Sequence, residues 1–314
     1  MTLTSRRVKQ CADLVRRCAN GSRKSQWRRI FFVLVKDDRL YRQIIPGLPG
    51  PYGAGRDNPT IQHNVQLQHQ GKTMKEVTTD NREWFQDWAN EYDSTLGKVK
   101  RHHKMLDQVV RSSGIKRDDL VLDIGCGTGL LSLKFLDKAE CDITAIDSSA
   151  EMLEIFQEKI KKCRLTGKIH CMQKSAEDMD FGPDKFDIVA ATVSLHHVKS
   201  KEPVIRNIYG CLKSGGRFVI GEIDMDTTGK PDDPDRLLRI LDYLTKELVL
   251  VMKEGGVQAF ERMYDNGKKH ILNDGEYCIG FGQWAELCRD AGFEKVEVNP
   301  VEGFEWFKVL VATK

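Results

Sequence analysis

Between residues 120 and 222, five short apolar runs alternate with helical patterns. The runs are LVLDI (120–124), DITAI (142–146), IHCMQ (169–173), FDIVAAT (186–192) and RFVIGE (217–222), and helical patterns occupy 129–138, 149–163 and 201–212. Strands this apolar are covered on both faces. Strands separated by a helix cannot close as tight hairpins and run parallel, with the helices as crossovers. The tail reads differently: after a helix over 282–291 that stops at Gly292, FEKVEVNP and FEWFKVLVATK follow with only a short connection. Two strands so joined pair antiparallel. The expected fold is therefore α/β, with a doubly wound, mostly parallel seven-stranded sheet closed by an antiparallel C-terminal hairpin.

Residues 225–276 interrupt this rhythm after the fifth strand. PDDPDRLLRILDYLTKELVLVMKEGG predicts a long helix that ends at Gly255–Gly256, and VQAFERMYDNGKKHI predicts a second helical stretch. Ligands of such sheets bind outside the carboxyl ends of the strands. The insertion is read as a lid over that edge, in preference to a packing elaboration.

Charge divides the chain more sharply than hydropathy does. Residues 1–73 hold fourteen Lys and Arg, four Asp and no Glu, a net +10, whereas the other 241 residues carry 35 basic and 42 acidic side chains, a net −7. The basic segment also holds the Pro/Gly cluster at 46–59 and shows poor helical periodicity. Three readings stand: an organelle-targeting peptide, an arm for nucleic acid or an anionic surface, or an unpacked extension ahead of a functional start at Met74. The expected domains are this extension, read as disordered, and a catalytic domain over 74–314. DNREWFQDWANEYD opens the latter with a helix start, and a further amphipathic helix over 101–113 ends at Gly114.

No apolar run reaches the roughly 18 residues a membrane span needs. The nine cysteines are scattered without a CxxC pair, so neither a disulfide framework nor a metal site is expected. A reducing, cytoplasmic setting follows, with organelle targeting by residues 1–73 left open.

VLDIGCGTG (121–129) carries the chemistry. Glycines at 125, 127 and 129 give a strand-to-helix turn in which backbone approaches a ligand closely, beside the free N–H groups of a helix start. A dinucleotide fingerprint GxGxxG would place its last glycine at 130, where the residue is Leu. Asp147, at the end of the second strand, can accept both hydroxyls of a ribose and suits either type of cofactor.

VLDIGCGTG, AIDSSAEML, SAEDMDF, FDIVAATVSLHHV and LKSGGRFVIGE together resemble the class I S-adenosylmethionine-dependent methyltransferases, within the broad group that includes the ubiquinone/menaquinone-biosynthesis enzymes and many small-molecule methyltransferases. The resemblance covers roughly 85–314 and implies a Rossmann-like fold with S-adenosylmethionine as cofactor. It implies that Gly125, Cys126 and Gly127 pass under the methionine moiety and ribose, and that Asp123 orients the charged amino group. By the same resemblance Asp147 holds the ribose, Ser148, Met152, Ala176 and Glu177 lie around the adenine, Ala191 and Thr192 line the sulfonium pocket, and Tyr92 covers the cofactor. The sequence departs at Lys174–Ser175, where an Asp is common, which moves the expected carboxylate contact to Glu177.

The expected reaction is methyl transfer to a small-molecule acceptor. Alternatives are a protein or RNA acceptor recruited by residues 1–73, and a non-catalytic cofactor-binding regulator. Candidate proton-handling residues are His196, His197 and Glu222 at the ends of the fourth and fifth strands, with His102 and His103 weaker candidates. Tyr264, His270 and Tyr277 are candidate acceptor contacts. The motifs identify neither the acceptor nor the oligomeric state.

Overall fold

The computed structural model describes Asp93 and residues 99–230, 233–267 and 276–314. Residues 1–73, Tyr92 and His270 lie outside the described residues.

The first described helix, α1 (Lys100–Ser113), ends at Gly114, whose left-handed φ of 64° closes the turn. The alternation that follows is β1 (Leu120–Ile124), α2 (Leu130–Lys138), β2 (Asp142–Asp147), α3 (Ala150–Lys162), β3 (Ile169–Gln173), β4 (Phe186–Thr192), α4 (Lys201–Cys211) and β5 (Leu212–Ile223). The expected strands agree to within a residue except β5, which begins five residues early because Leu212 already pairs with Phe186 across a bulge. The insertion forms α5 (Pro234–Asn266), followed by α6 (Phe281–Ala291), β6 (Lys295–Val301) and β7 (Phe304–Thr313).

The sheet order is β3-β2-β1-β4-β5-β7-β6. The first five strands pair in parallel, and β7 runs antiparallel to both β5 and β6. Successive strand residues face opposite sides, and each side has its own core. On one side Val219 and Val309 pack with Met105 of α1, Phe135 of α2 and Phe156 of α3. On the other, Phe218 and Leu310 pack with Ile205 of α4 and Trp284 and Cys288 of α6. Burial on both faces accounts for strands that show no polar alternation. Among the described residues, no helix is long and apolar enough to cross a membrane.

The insertion forms two helical stretches that meet at Gly256, as the sequence predicts. Asp233 caps its first turn and Pro234 occupies its first position, the pattern the Pro/Asp-rich loop foretells. The kink falls at Gly256, which takes φ 70° and ψ −161°. Ile240, Tyr243 and Leu244 join the core on the α1 side of the sheet. Beneath them the fully buried Glu247 accepts hydrogen bonds from Arg101 of α1 at 2.8 Å and from the Trp306 indole of β7 at 2.7 Å. The Arg101 guanidinium also lies 4.3 Å from the centre of the Phe307 ring.

Removing one partner of a buried ion pair leaves the other uncompensated. Glu247→Ala is therefore expected to cost about 3–5 kcal/mol of stability in urea unfolding. A loss no larger than that of Val257→Ala, an exposed control on the same helix, would show that α5 is not tied into the domain.

Candidate functional site

The glycine turn after β1 opens the site. Gly125, Gly127 and Gly129 all take positive φ, at 66°, 53° and 88°. A Cβ on Gly125 would meet Ser194 at 2.3 Å, and one on Gly129 would meet the Phe156 ring at 2.0 Å. At these two positions the protein's own side chains make the close approach. A Cβ on Gly127 would meet nothing within 4 Å, because that residue faces a cavity of about 780 Å³. A volume of this size suits a cofactor together with a small acceptor.

Adjacent parallel strands bring the next element of the site alongside. Gly125 and Cys126 donate backbone hydrogen bonds to the Ile146 carbonyl at 2.8 and 3.0 Å, which docks the turn onto the end of β2. Asp147 then accepts from the Gly127 N–H at 2.8 Å and from the Ser149 N–H at 2.9 Å. Burial raises its pKa against the pull of these N–H donors. Two carboxylate oxygens offer about four acceptor directions, so further donors such as ribose hydroxyls can be accommodated.

Ser148, Met152, Ala176, Glu177 and Thr192 also line the cavity, as do Gly125, Cys126, His196 and His197. Burial pushes the Cys126 thiol well up, so it stays protonated and fills the turn as a small residue. Ala191, expected to line the sulfonium pocket, is instead fully buried within the sheet and outside the cavity lining. Asp93 accepts from Thr128 Oγ1 at 2.6 Å and pairs with Lys159, which ties the chain next to Tyr92 to the glycine turn.

Asp123 sits differently from the resemblance-based expectation. It is buried beneath the turn, outside the cavity lining, and accepts from Ser132 Oγ at 2.6 Å. Burial pushes its pKa up to about 7, opposed by the Ser132 hydrogen bond and reinforced by Asp147.

The opposite wall of the cavity is built where β4 and β5 end. Val193 has φ 47°, a left-handed conformation that a β-branched residue rarely adopts. This strained turn leads into a single 3₁₀ turn, Leu195–His197. Glu222 at the end of β5 lies beneath it, and accepts from the Ser194 N–H at 2.8 Å, the Leu195 N–H at 3.1 Å and His196 Nδ1 at 3.0 Å. Burial alone would raise the Glu222 pKa, but the His196 charge and these donors hold it below the usual carboxylate range. Burial likewise opposes protonation of His196, and Glu222 raises its pKa nonetheless.

Across from His196 stands Glu276, buried, lining the cavity and hydrogen-bonded by Asn266 of the insertion helix. Burial raises its pKa. The sequence reading misses Glu276, along with Arg101, Tyr243, Met263 and Phe307, all on the cavity wall. None lies in a motif. Among the candidate acceptor contacts, the Tyr264 ring stacks on Phe260 at 6.2 Å, and the Tyr277 ring lies 5.9 Å from Lys199. The backbone N–H of Tyr277, however, donates to the His196 carbonyl at 2.8 Å. Burial pushes the His102 pKa down to about 3, so it faces the cavity as a neutral imidazole.

The sheet with its antiparallel β7, the open glycine turn and the buried acid ending β2 fit a class I S-adenosylmethionine-dependent methyltransferase, and comparison with known proteins shows that class. The Methyltransferase domain family matches residues 121–216. The ubiquinone/menaquinone biosynthesis C-methyltransferase UbiE of Pseudoalteromonas translucida is 32% identical over 226 residues, covering 70% of this chain and 84% of the relative. That of Vibrio parahaemolyticus is 28% identical over 258 residues, covering 78% and 94%. In fold, the chain is similar to the candidate methyltransferase of Haloferax volcanii solved with the Trm112 activator (TM-score 0.53, 16% identity, covering 73% of this chain and 96% of that one). It is also similar to a candidate S-adenosyl-L-methionine-dependent methyltransferase of Methanococcus maripaludis (TM-score 0.50, 18% identity, covering 78% and 97%). The chain belongs to the S-adenosylmethionine-dependent methyltransferase family that contains the UbiE enzymes.

Two predictions follow from this geometry. Asp147→Ala should weaken S-adenosylmethionine binding at least tenfold by calorimetry, since each charge-assisted hydrogen bond contributes about 1.5–3 kcal/mol; unchanged affinity in a folded variant would remove Asp147 from the site. Asp123 has a folded pKa of about 7 against an ordinary 3.8. The stability it contributes is complete below the lower value and is lost as pH rises through the upper. Asp123→Asn should therefore raise the Tm of cofactor-free protein more at pH 8 than at pH 5, and the reverse order would show that the fold lowers the Asp123 pKa instead of raising it.

Proposed function

We propose that this methyltransferase acts on a small molecule held between the glycine turn and the His196–His197–Glu276 wall, and that the acceptor atom is carbon. The observation that carries the reading is the second half of the cavity. The cofactor motifs line one side, and the other side is enclosed by groups from α1, α5, β7 and the segment around Glu276. A concave volume of this size suits a small acceptor better than a polymer. The names of the relatives, C-methyltransferases of ubiquinone and menaquinone biosynthesis, support carbon as the acceptor atom.

S-adenosylmethionine, when bound, supplies a methyl group on a positively charged sulfur. The Gly125–Gly127 turn and Asp147 hold the cofactor. Thr192 and the strained Val193 set the floor where acceptor and methyl meet, about 3–3.5 Å apart in a reactive geometry. Arg101, Tyr243, Met263 and Phe307 exclude water from that region. The acceptor's proton leaves toward the wall that carries His196, His197 and Glu276. Glu222 is the positioning residue. Its contact with Nδ1 fixes the imidazole and turns Nε2 away from the sheet. The insertion helix acts as the lid in this reading, with Tyr243, Met263 and Asn266 as its inner face.

A screen of methyl-labelled small aromatic and enolisable acceptors tests the acceptor class. With an active acceptor in hand, Glu222→Gln should lower kcat at least tenfold while S-adenosylmethionine affinity changes less than twofold. A parallel fall in both would make Glu222 a scaffold of the cofactor site instead. Labelling confined to protein or RNA in a crude extract, and lost on removal of residues 1–73, would replace the small-molecule reading with recruitment by the basic arm.

A further inference from the structure

We infer that His196, His197 and Glu276 form a binding site for a divalent transition-series cation. One ligand atom from each of these three residues lies within 4.8 Å of the others, and all three line the cavity. Two imidazole nitrogens and a carboxylate oxygen are a donor set for zinc, cobalt, nickel or iron. Magnesium and calcium prefer oxygen donors throughout. Ligands about 2.0–2.2 Å from one ion in a tetrahedral set lie about 3.4 Å apart, so each side chain need move by less than about an ångström.

The supporting residues match what such a site requires. A metal-binding imidazole uses one ring nitrogen for the ion and gives the other N–H to a carboxylate, which fixes the ring and raises its basicity. His196 has this arrangement, with Nδ1 against Glu222 at 3.0 Å and Nε2 left for the ion. Glu222 is itself held by the backbone N–H groups of Ser194 and Leu195, so the ring cannot swing freely. On the third ligand, Asn266 plays the corresponding part by hydrogen-bonding Glu276. Three protein ligands leave at least one coordination position directed into the cavity, which is the form of a reactive rather than a purely structural site.

An ion there would take an oxygen of the acceptor. A phenol or enol bound to a divalent cation gives up its O–H proton to solvent more readily, and the resulting oxyanion makes the adjacent carbon a better nucleophile. When that carbon attacks, the new carbon–methyl bond forms as the sulfur–methyl bond breaks, and the carbon-bound proton then passes to solvent, which restores the aromatic ring or the enol. This role toward the acceptor rests on the small-molecule reading above; the binding of the cation does not.

The test is titration of the chelator-stripped full chain with Co²⁺, followed by visible absorption and calorimetry. One equivalent should bind, with d–d bands of a four- or five-coordinate nitrogen/oxygen site and without a thiolate charge-transfer band, and Zn²⁺ should displace it. Glu276→Gln and Glu222→Gln should each weaken Co²⁺ binding at least tenfold while S-adenosylmethionine affinity changes less than twofold. Absence of uptake, uptake indifferent to Glu276→Gln, or a thiolate band that assigns the ion to Cys126 or Cys278 would each overturn the site. Catechol, an oxygen-donor probe, should shift the cobalt bands; unshifted bands in a protein that binds cobalt would overturn the acceptor role. Neither result bears on the acceptor screen, so the cation site and the small-molecule reading can fail separately.

Discussion

A buried carboxylate needs partners, and the partners of Glu222 organise one wall of the cavity. The residue is only 1% exposed, near the end of β5. An ionised group there is tolerable only if hydrogen bonds and an opposite charge replace its lost hydration. Ser194, Leu195 and His196 supply them, all from the turn that leaves the neighbouring strand. Satisfying that one charge therefore fixes the direction in which the chain leaves β4. It places the imidazole of His196 and sets Ser194 against Gly125 of the cofactor turn. The strained φ of Val193 is the local cost of this arrangement.

The other half of the cavity depends on Asp147 in a comparable way. Its two oxygens receive N–H groups from both sides of the cleft, Gly127 from the first turn and Ser149 from the start of α3. Parallel strands end at the same edge, so the turn after β1 and the acid ending β2 are neighbours although about twenty residues separate them. The two carboxylates thus divide the work. Asp147 joins the glycine turn to the start of α3, and Glu222 holds the turn that leaves β4.

Between these walls the insertion contributes more than a cover. Its Glu247 reaches Arg101 and Trp306 in the interior, and Ile240, Tyr243 and Leu244 belong to the core. Tyr243 of its first part and Met263 and Asn266 of its later part face the cavity, the latter two beside Glu276. The two parts meet at Gly256, where a single glycine absorbs the change of direction. The first part is a fixed support. Separate parts of the chain line the cavity: the motifs on β1 to β4, and the insertion with its following segment.

Much of this was legible in the residue order. The strand and helix alternation of 120–222 gave the parallel sheet, because local apolar periodicity and crossover length are properties of contiguous sequence. The glycine spacing and Asp147 pointed to the cofactor for the same reason: the turn and the acid lie in short motifs. Even the pairing of His196 with Glu222 was approachable, since both were expected at adjacent strand ends. What only the tertiary structure decided is which distant groups meet. Glu276 reaches His196 from 80 residues away in sequence, Arg101 reaches Glu247 across 146, and neither contact has a periodic or motif signature. Asp123 shows the limit from the other direction. Its motif position implied a ligand contact, but burial under the turn turned it toward Ser132. The sequence alone determined the sheet and the cofactor, because both are written in local pattern. The acceptor wall was decided by packing, because buried charges choose their partners by proximity in space and the chain order carries no record of that choice.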